Sequence, residues 1–116
     1  MDNIKFIEFL KNDFEISNAK YSSIKFFRSQ LILILIWFWV LEKFYKKKPY
    51  GVEELIQDIP KEHASRPTIY KFIDLAIKKN FLKKKSFLND KRKWNLEPTK
   101  QTIDEFESWA KGFSNF

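Results

Sequence analysis

Two basic stretches hold the residues with chemistry to offer. The first is Ser65-Arg66-Pro67-Thr68, continued by Tyr70 and Lys71, at the start of a run with helical spacing. The second gathers Lys83, Lys84 and Lys85, and then Asn89, Asp90, Lys91, Arg92 and Lys93. An arginine can address guanine O6 and N7 with two parallel N–H bonds, threonine and proline can touch thymine methyls, and serine can bond phosphate. Lysines neutralise phosphates, and an arginine suits a narrow minor groove with its enhanced negative potential. Both stretches therefore point to duplex DNA. Each also has a plainer reading, as a solvated first turn of an ordinary helix and as charge that only keeps the chain soluble. Arginine usage favours the first reading. The chain has 19 lysines and three arginines, and Arg66 and Arg92 stand where a rigid planar fork outperforms a point charge.

Charge distribution agrees. The net charge is +7, and residues 61–98 alone carry eleven basic and four acidic groups, which accounts for the whole imbalance. Such a field attracts polyanions, nucleic acid first and an anionic membrane surface second. Other chemistries find little support. Cysteine is absent, so there is no disulfide framework, thiolate metal site or thiol redox switch. His63 is the only histidine and sits beside Glu62 without a second ligand, Glu53 and Glu54 are adjacent and point to different helix faces, and two glycines cannot build a phosphate loop. The expectation is a protein that is not an enzyme and needs no cofactor. Most aromatics lie on apolar stripes, Phe72, Phe81 and Trp94 among them, which assigns them to the core. Tyr70, Phe87 and Trp94 are the candidates for single-strand stacking, too few for that mode. The first residues mix acids with apolar side chains and lack a signal-peptide pattern, so a cytoplasmic location is expected.

The elements that must position these residues are mostly helical. A length of 116 residues fits one domain, with 44% hydrophobic residues for its core. Residues 1–48 read as N-terminal helices. The first carries Ile4, Ile7, Leu10 and Phe14 at helical spacing, with Asp2 or Asn3 as cap and Ser17-Asn18 as its end. The second is expected to run unbroken from Ser22-Ser23 to about Lys47. Its centre, Leu31 to Leu41, is eleven apolar residues in a row, too short and too tightly bounded by charge to cross a membrane. It reads as a buried helix, with a buried strand as the alternative. Residues 51–98 read as a short helix (Val52 to Ile59), a loop, a second helix capped by Ser65, and a β-hairpin turning at Asn89-Asp90. Residues 99–116 form a last helix, with Thr102 and Glu105 as a capping box. Its stripe is Ile103, Phe106, Trp109, Phe113 and Phe116.

Helix, loop, helix, basic hairpin, helix is the order of a winged helix-turn-helix. Gly51 to Gln101 resembles the MarR family of winged-helix transcription regulators. The residues that carry the likeness are DKRKWNLEPT, Asp90 to Thr99, and SRPTIYKFIDLAIKKNFLKK, Ser65 to Lys84. The resemblance implies a homodimer built from N- and C-terminal helices, binding double-stranded DNA, with Asp90 holding Arg92 by an ion pair. The expected fold class is thus mainly α with a small β-hairpin wing, flanked by long packing and dimerisation helices. An area argument also favours the dimer, because a small chain can cover only part of the Leu31–Leu41 helix, the first helix and the last stripe. The rival readings are a winged-helix module whose apolar helices dock a partner protein, and a basic peripheral membrane protein.

Overall fold

A computed structural model describes residues 2–87 and 90–114, without the side chains of residues 87, 90–93 and 114. Among the described residues, six helices and one hairpin follow in order: α1 Asn3–Lys20, α2 Ser22–Phe27, α3 Leu31–Tyr45, α4 Val52–Asp58, α5 Arg66–Lys78, β1 Leu82–Phe87, β2 Asp90–Pro98 and α6 Lys100–Ser114. This is the predominantly helical, single-wing architecture that the sequence predicts. Among the described residues no helix is long and apolar enough to cross a membrane.

The core sits where α3, α5 and the base of the hairpin meet. From α3 it takes Ile32, Leu33, Ile36, Trp37, Val40 and Leu41. From α5 it takes Ile69, Phe72, Ile73 and Ala76, and from the hairpin Leu82 and Leu96. Trp37 stacks on Phe27 at 5.7 Å, nearly parallel, and meets Phe106 and Trp109 of α6 on its other sides. The apolar run is therefore a helix covered over most of its circumference, with Leu31 and Phe38 left exposed.

Three sequence expectations change. Helix α1 does not end at Ser17-Asn18 but continues to Lys20. Ser17 is a buried interior residue, its hydroxyl tied to Asp13 one turn back at 2.9 Å. The long second helix is broken at Arg28–Gln30, where Gln30 is fully extended (φ −149°, ψ 148°). There the Ser29 hydroxyl bonds the Phe26 carbonyl at 2.6 Å, a side-chain alternative to the helical ladder. Thr102 and Glu105 do not form a capping box on α6. Thr102 instead donates to the Phe81 carbonyl at 2.7 Å, and Glu105 accepts from the Ser23 backbone N–H at 2.9 Å, capping α2 from another helix.

The break exists for Arg28. Its Nη1 meets Asp13 Oδ2 at 2.7 Å, with only 6% and 9% of the two side chains exposed. Its Nε and Nη2 bond Asn18, and its guanidinium lies 4.1 Å from the Phe14 ring centroid. Asp13 also accepts the Trp109 indole N–H at 2.7 Å, which brings α6 into the same knot. Burial pushes the Asp13 carboxyl up, but hydrogen bonds from Arg28, Ser17 and Trp109 outweigh it and hold the group below its usual value. Removing one partner of a buried pair leaves the other charge uncompensated. Arg28→Ala is expected to destabilise the fold by about 3 kcal/mol in urea or thermal unfolding. A depressed carboxylate contributes stability that is present above its unfolded pKa and lost as pH falls through the folded one. Wild-type stability should therefore fall with acidification below the ordinary aspartate value of 3.8, and Asp13→Asn should abolish that component of the slope.

Candidate nucleic-acid interface

Ser65 fixes the start of α5. Its hydroxyl accepts from the Thr68 backbone N–H at 3.4 Å, and proline occupies the first turn, where its missing N–H is no loss. The helix end is fixed as firmly. Asn80 takes a left-handed conformation, φ 64°, and the Phe81 N–H reaches back to the Ala76 carbonyl at 2.9 Å, a Schellman closure with asparagine in the place glycine usually takes. With one face buried along Ile69, Phe72, Ile73 and Ala76, α5 presents the opposite face on a rigid support. Ser65, Arg66, Pro67 and Lys71 are exposed, and Thr68 and Tyr70 are half-buried.

The wing stands beside it. Its strands pair antiparallel, with Leu82 opposite Pro98, Lys84 opposite Leu96 and Ser86 opposite Trp94. These pairs share one face, so the face starts in the core at Leu82 and Leu96 and leaves it towards the tip. Trp94 consequently is not a core residue as its alternation suggests: it is 48% exposed, because the hairpin has outrun the core at that point. Lys83, Lys84 and Lys85 are all exposed. The backbone of Asp90, Lys91, Arg92 and Lys93 lies in β2, while Asn89 and the expected Asp90–Arg92 ion pair fall outside the described residues.

A third strand segment escaped the sequence reading. Gly51 pairs with Asn95 in a single antiparallel bridge, the Leu96 N–H donates to the Tyr50 carbonyl at 2.6 Å, and the Tyr50 N–H donates to Asn95 Oδ1 at 2.5 Å. Glycine eases this close approach, since a Cβ there would lie 2.6 Å from Glu54 Oε2 and 3.3 Å from the Trp94 carbonyl and would force both to give way. The bridge ties the hairpin base to the start of α4. Two residues of pairing carry no periodicity, so no sequence signal marked it.

Glu53 was also missed as a partner of the first turns of α5. It lies in the first turn of α4, and its carboxylate accepts from Arg66 Nη2 at 2.6 and 2.5 Å and from the Tyr70 hydroxyl. The Arg66 guanidinium lies 5.6 Å from the Tyr70 ring centroid. Hydrogen bonds from Tyr70 and Arg66 hold the Glu53 carboxyl below its usual range, and the same bond to Glu53 pushes the Tyr70 phenol up. The third arginine, Arg28, is the buried hub described above, so every arginine with a described side chain has a specific carboxylate partner.

Of the residues expected at a dimer interface, Ile103, Phe106 and Trp109 are half-buried inside the protomer. Phe113 is exposed and packs edge-on against Trp109 at 4.8 Å. Phe116 lies outside the described residues.

A helix-turn-helix of α4 and α5, backed by α3 and followed by a two-stranded wing, defines a winged-helix protein. No protein-family model matches the sequence, and no curated protein matches it. Solved structures do. MepR from S. aureus, solved as a complex with DNA, superposes with a TM-score of 0.62 at 10% identity, over 93% of this chain and 75% of that one. A putative MarR-like transcription regulator from Bacillus cereus gives 0.54 at 10% identity, over 97% and 77% of the two chains. The transcriptional regulator BldR from Sulfolobus solfataricus gives 0.50 at 13% identity, over 99% and 81%. At such identities the likeness is one of fold. The chain has the winged-helix fold of MarR-type regulators.

The Glu53 contact is measurable in the free protein. Glu53→Gln should lower the Tyr70 pKa towards the ordinary phenol value of 10.0, read from its ring carbon shift in an NMR titration, with the other three tyrosines unmoved.

Proposed function

We propose that the chain is a sequence-preferring duplex-DNA-binding protein that acts as a dimeric transcription regulator in the cytoplasm. The observation that carries this reading is the exposed polar turn of α5, held on a buried face beside the exposed Lys83, Lys84 and Lys85 of the wing. Residues Ser65, Arg66, Pro67, Thr68, Tyr70 and Lys71 would enter the major groove, where the second helix of this motif puts its N-terminal residues against base edges. The wing, Lys83 to Lys85 and Asn89 to Lys93, would lie along phosphates with Arg92 towards the minor groove. The fold likeness to a protein solved on DNA supports the same assignment.

A dimer is supported by what the protomer leaves uncovered. Ile4 is 70% exposed and Ile7 55%, and Phe14, Ile16, Leu31, Phe38 and Phe113 are exposed as well. The radius of gyration is 15.4 Å, against about 13 Å for a compact chain of this length. Apolar surface on α1 and α6 is thus held away from the protomer's own core. A two-fold partner joining those helices would cover it and set two recognition helices about 34 Å apart, one turn of DNA.

Two measurements test the reading. In anisotropy titrations on duplexes of varied sequence, Arg66→Ala should lose about tenfold or more on the preferred duplex and relax its base preference locally. Lys84→Ala should weaken all duplexes alike and reduce the salt slope by about one. Uniform loss in both variants would remove Arg66 from base readout. In sedimentation, Ile4→Asp with Ile7→Asp should convert a dimer into a folded monomer. A wild-type chain that is monomeric at micromolar concentration would overturn the assembly.

A further inference from the structure

The polar groups of the recognition turn are bonded to one another in the free protein. Ser65 Oγ and Thr68 Oγ1 are 2.9 Å apart and share a hydrogen bond. Arg66 and Tyr70 both end on the Glu53 carboxylate. Glu53 and Arg66 are each a little over half exposed, at 55% and 56% of their side chains, so no buried charge requires the pair. An acid in the first turn of α4 is also a liability in a protein that approaches phosphates.

The atoms of the contact matter. A guanidinium offers two planar edges with parallel N–H bonds, Nε with Nη2 and Nη1 with Nη2. Nη2 belongs to both. Both contacts from Arg66 to Glu53 are made by Nη2. Nη2 carries one N–H for each edge, so while both oxygens of Glu53 sit on that nitrogen, at least one complete fork is closed to guanine O6 and N7 and a carboxylate stands beside the other, although the charge of Arg66 still reaches phosphates. Resting on the reading of this turn as a major-groove reader, we propose that Glu53 gates Arg66: it holds the arginine in the free protein and on non-preferred DNA, and only a correctly placed guanine edge displaces it. Non-preferred duplexes, bound through lysines and backbone, leave the contact intact. Glu53 thus lowers affinity at the preferred site without making any DNA contact of its own.

A double-mutant cycle tests this on a duplex that the wild-type chain selects from a random pool, with a scrambled duplex beside it. Glu62→Gln is the charge control, an exposed acid in the loop between α4 and α5. Glu53→Gln should tighten the selected duplex by about two- to fivefold more than Glu62→Gln does, the scale of an exposed ion pair. On the scrambled duplex the two variants should match. Arg66→Ala should cost more in the Glu53→Gln background than in wild type, by that same factor. Additive effects would overturn the gate. A smaller Arg66→Ala cost in the Glu53→Gln background would overturn it too, since Glu53 would then stay bonded to Arg66 on DNA and orient it. Failure of the wild type to select any duplex would remove the DNA reading itself. A normal selection followed by an additive cycle would remove only the gate.

Discussion

Among the described residues, Arg28 and Asp13 form the one charged pair taken out of water, and three helices are arranged around it. Burying such a pair costs several kcal/mol per ion, and it is tolerated where additional hydrogen bonds satisfy the remaining donors and acceptors. Here they do. Asn18 takes two more N–H groups of the guanidinium, Ser17 and the Trp109 indole complete the carboxylate, and the Phe14 ring covers the cation. Each partner comes with a constraint. Ser17 and Asn18 must stay helical, so α1 runs on to Lys20. Arg28 must turn back on α1, so the chain breaks before α3. Trp109 must face Asp13, so α6 lies against α1.

The same pair explains why part of the fold was legible in the sequence and part was not. The face of α5 and the apolar run of α3 are periodic, and the caps at Asp2 and Ser65 act within four residues, so a linear reading finds them. Ser29 and Gln30 are no stronger a breaker than many residues inside helices, and the partners that break the chain there lie ten and fifteen residues away. Glu105 misled for a related reason. Its spacing from Thr102 fits a cap, yet both side chains have better partners from distant segments, Ser23 and the Phe81 carbonyl.

At the candidate interface the legible part was residue type. Arg66, Lys71 and the three wing lysines lie exposed on adjoining elements, as their spacing implies. The illegible part was the partner of each group. Glu53 is thirteen positions from Arg66, and nothing local marks it as more than one of two acids stabilising the N-terminal end of α4. The distinction from Arg28 is burial. A pair that is half exposed can exchange one partner for another at small cost, whereas a buried one cannot. Two arginines in one short chain therefore have opposite duties, one locked for architecture and one free to be exchanged.

Between these two regions lies the corner at Asn80 and Phe81. The carbonyls there accept from Thr99 Oγ1 at 2.9 Å, from the Thr99 N–H at 3.1 Å and from Thr102 Oγ1 at 2.7 Å. Thr99 and Thr102 are both buried, so these bonds are shielded from water and leaving one unmade would cost about 1–3 kcal/mol. They pin the end of α5 to the start of α6. Because Trp109 further along α6 is bonded to Asp13, α5 is referenced through two fixed joints to the buried pair on α1. In the proposed dimer, an assembly built on α1 and α6 would therefore inherit a defined angle for each α5, and with it a defined spacing on DNA.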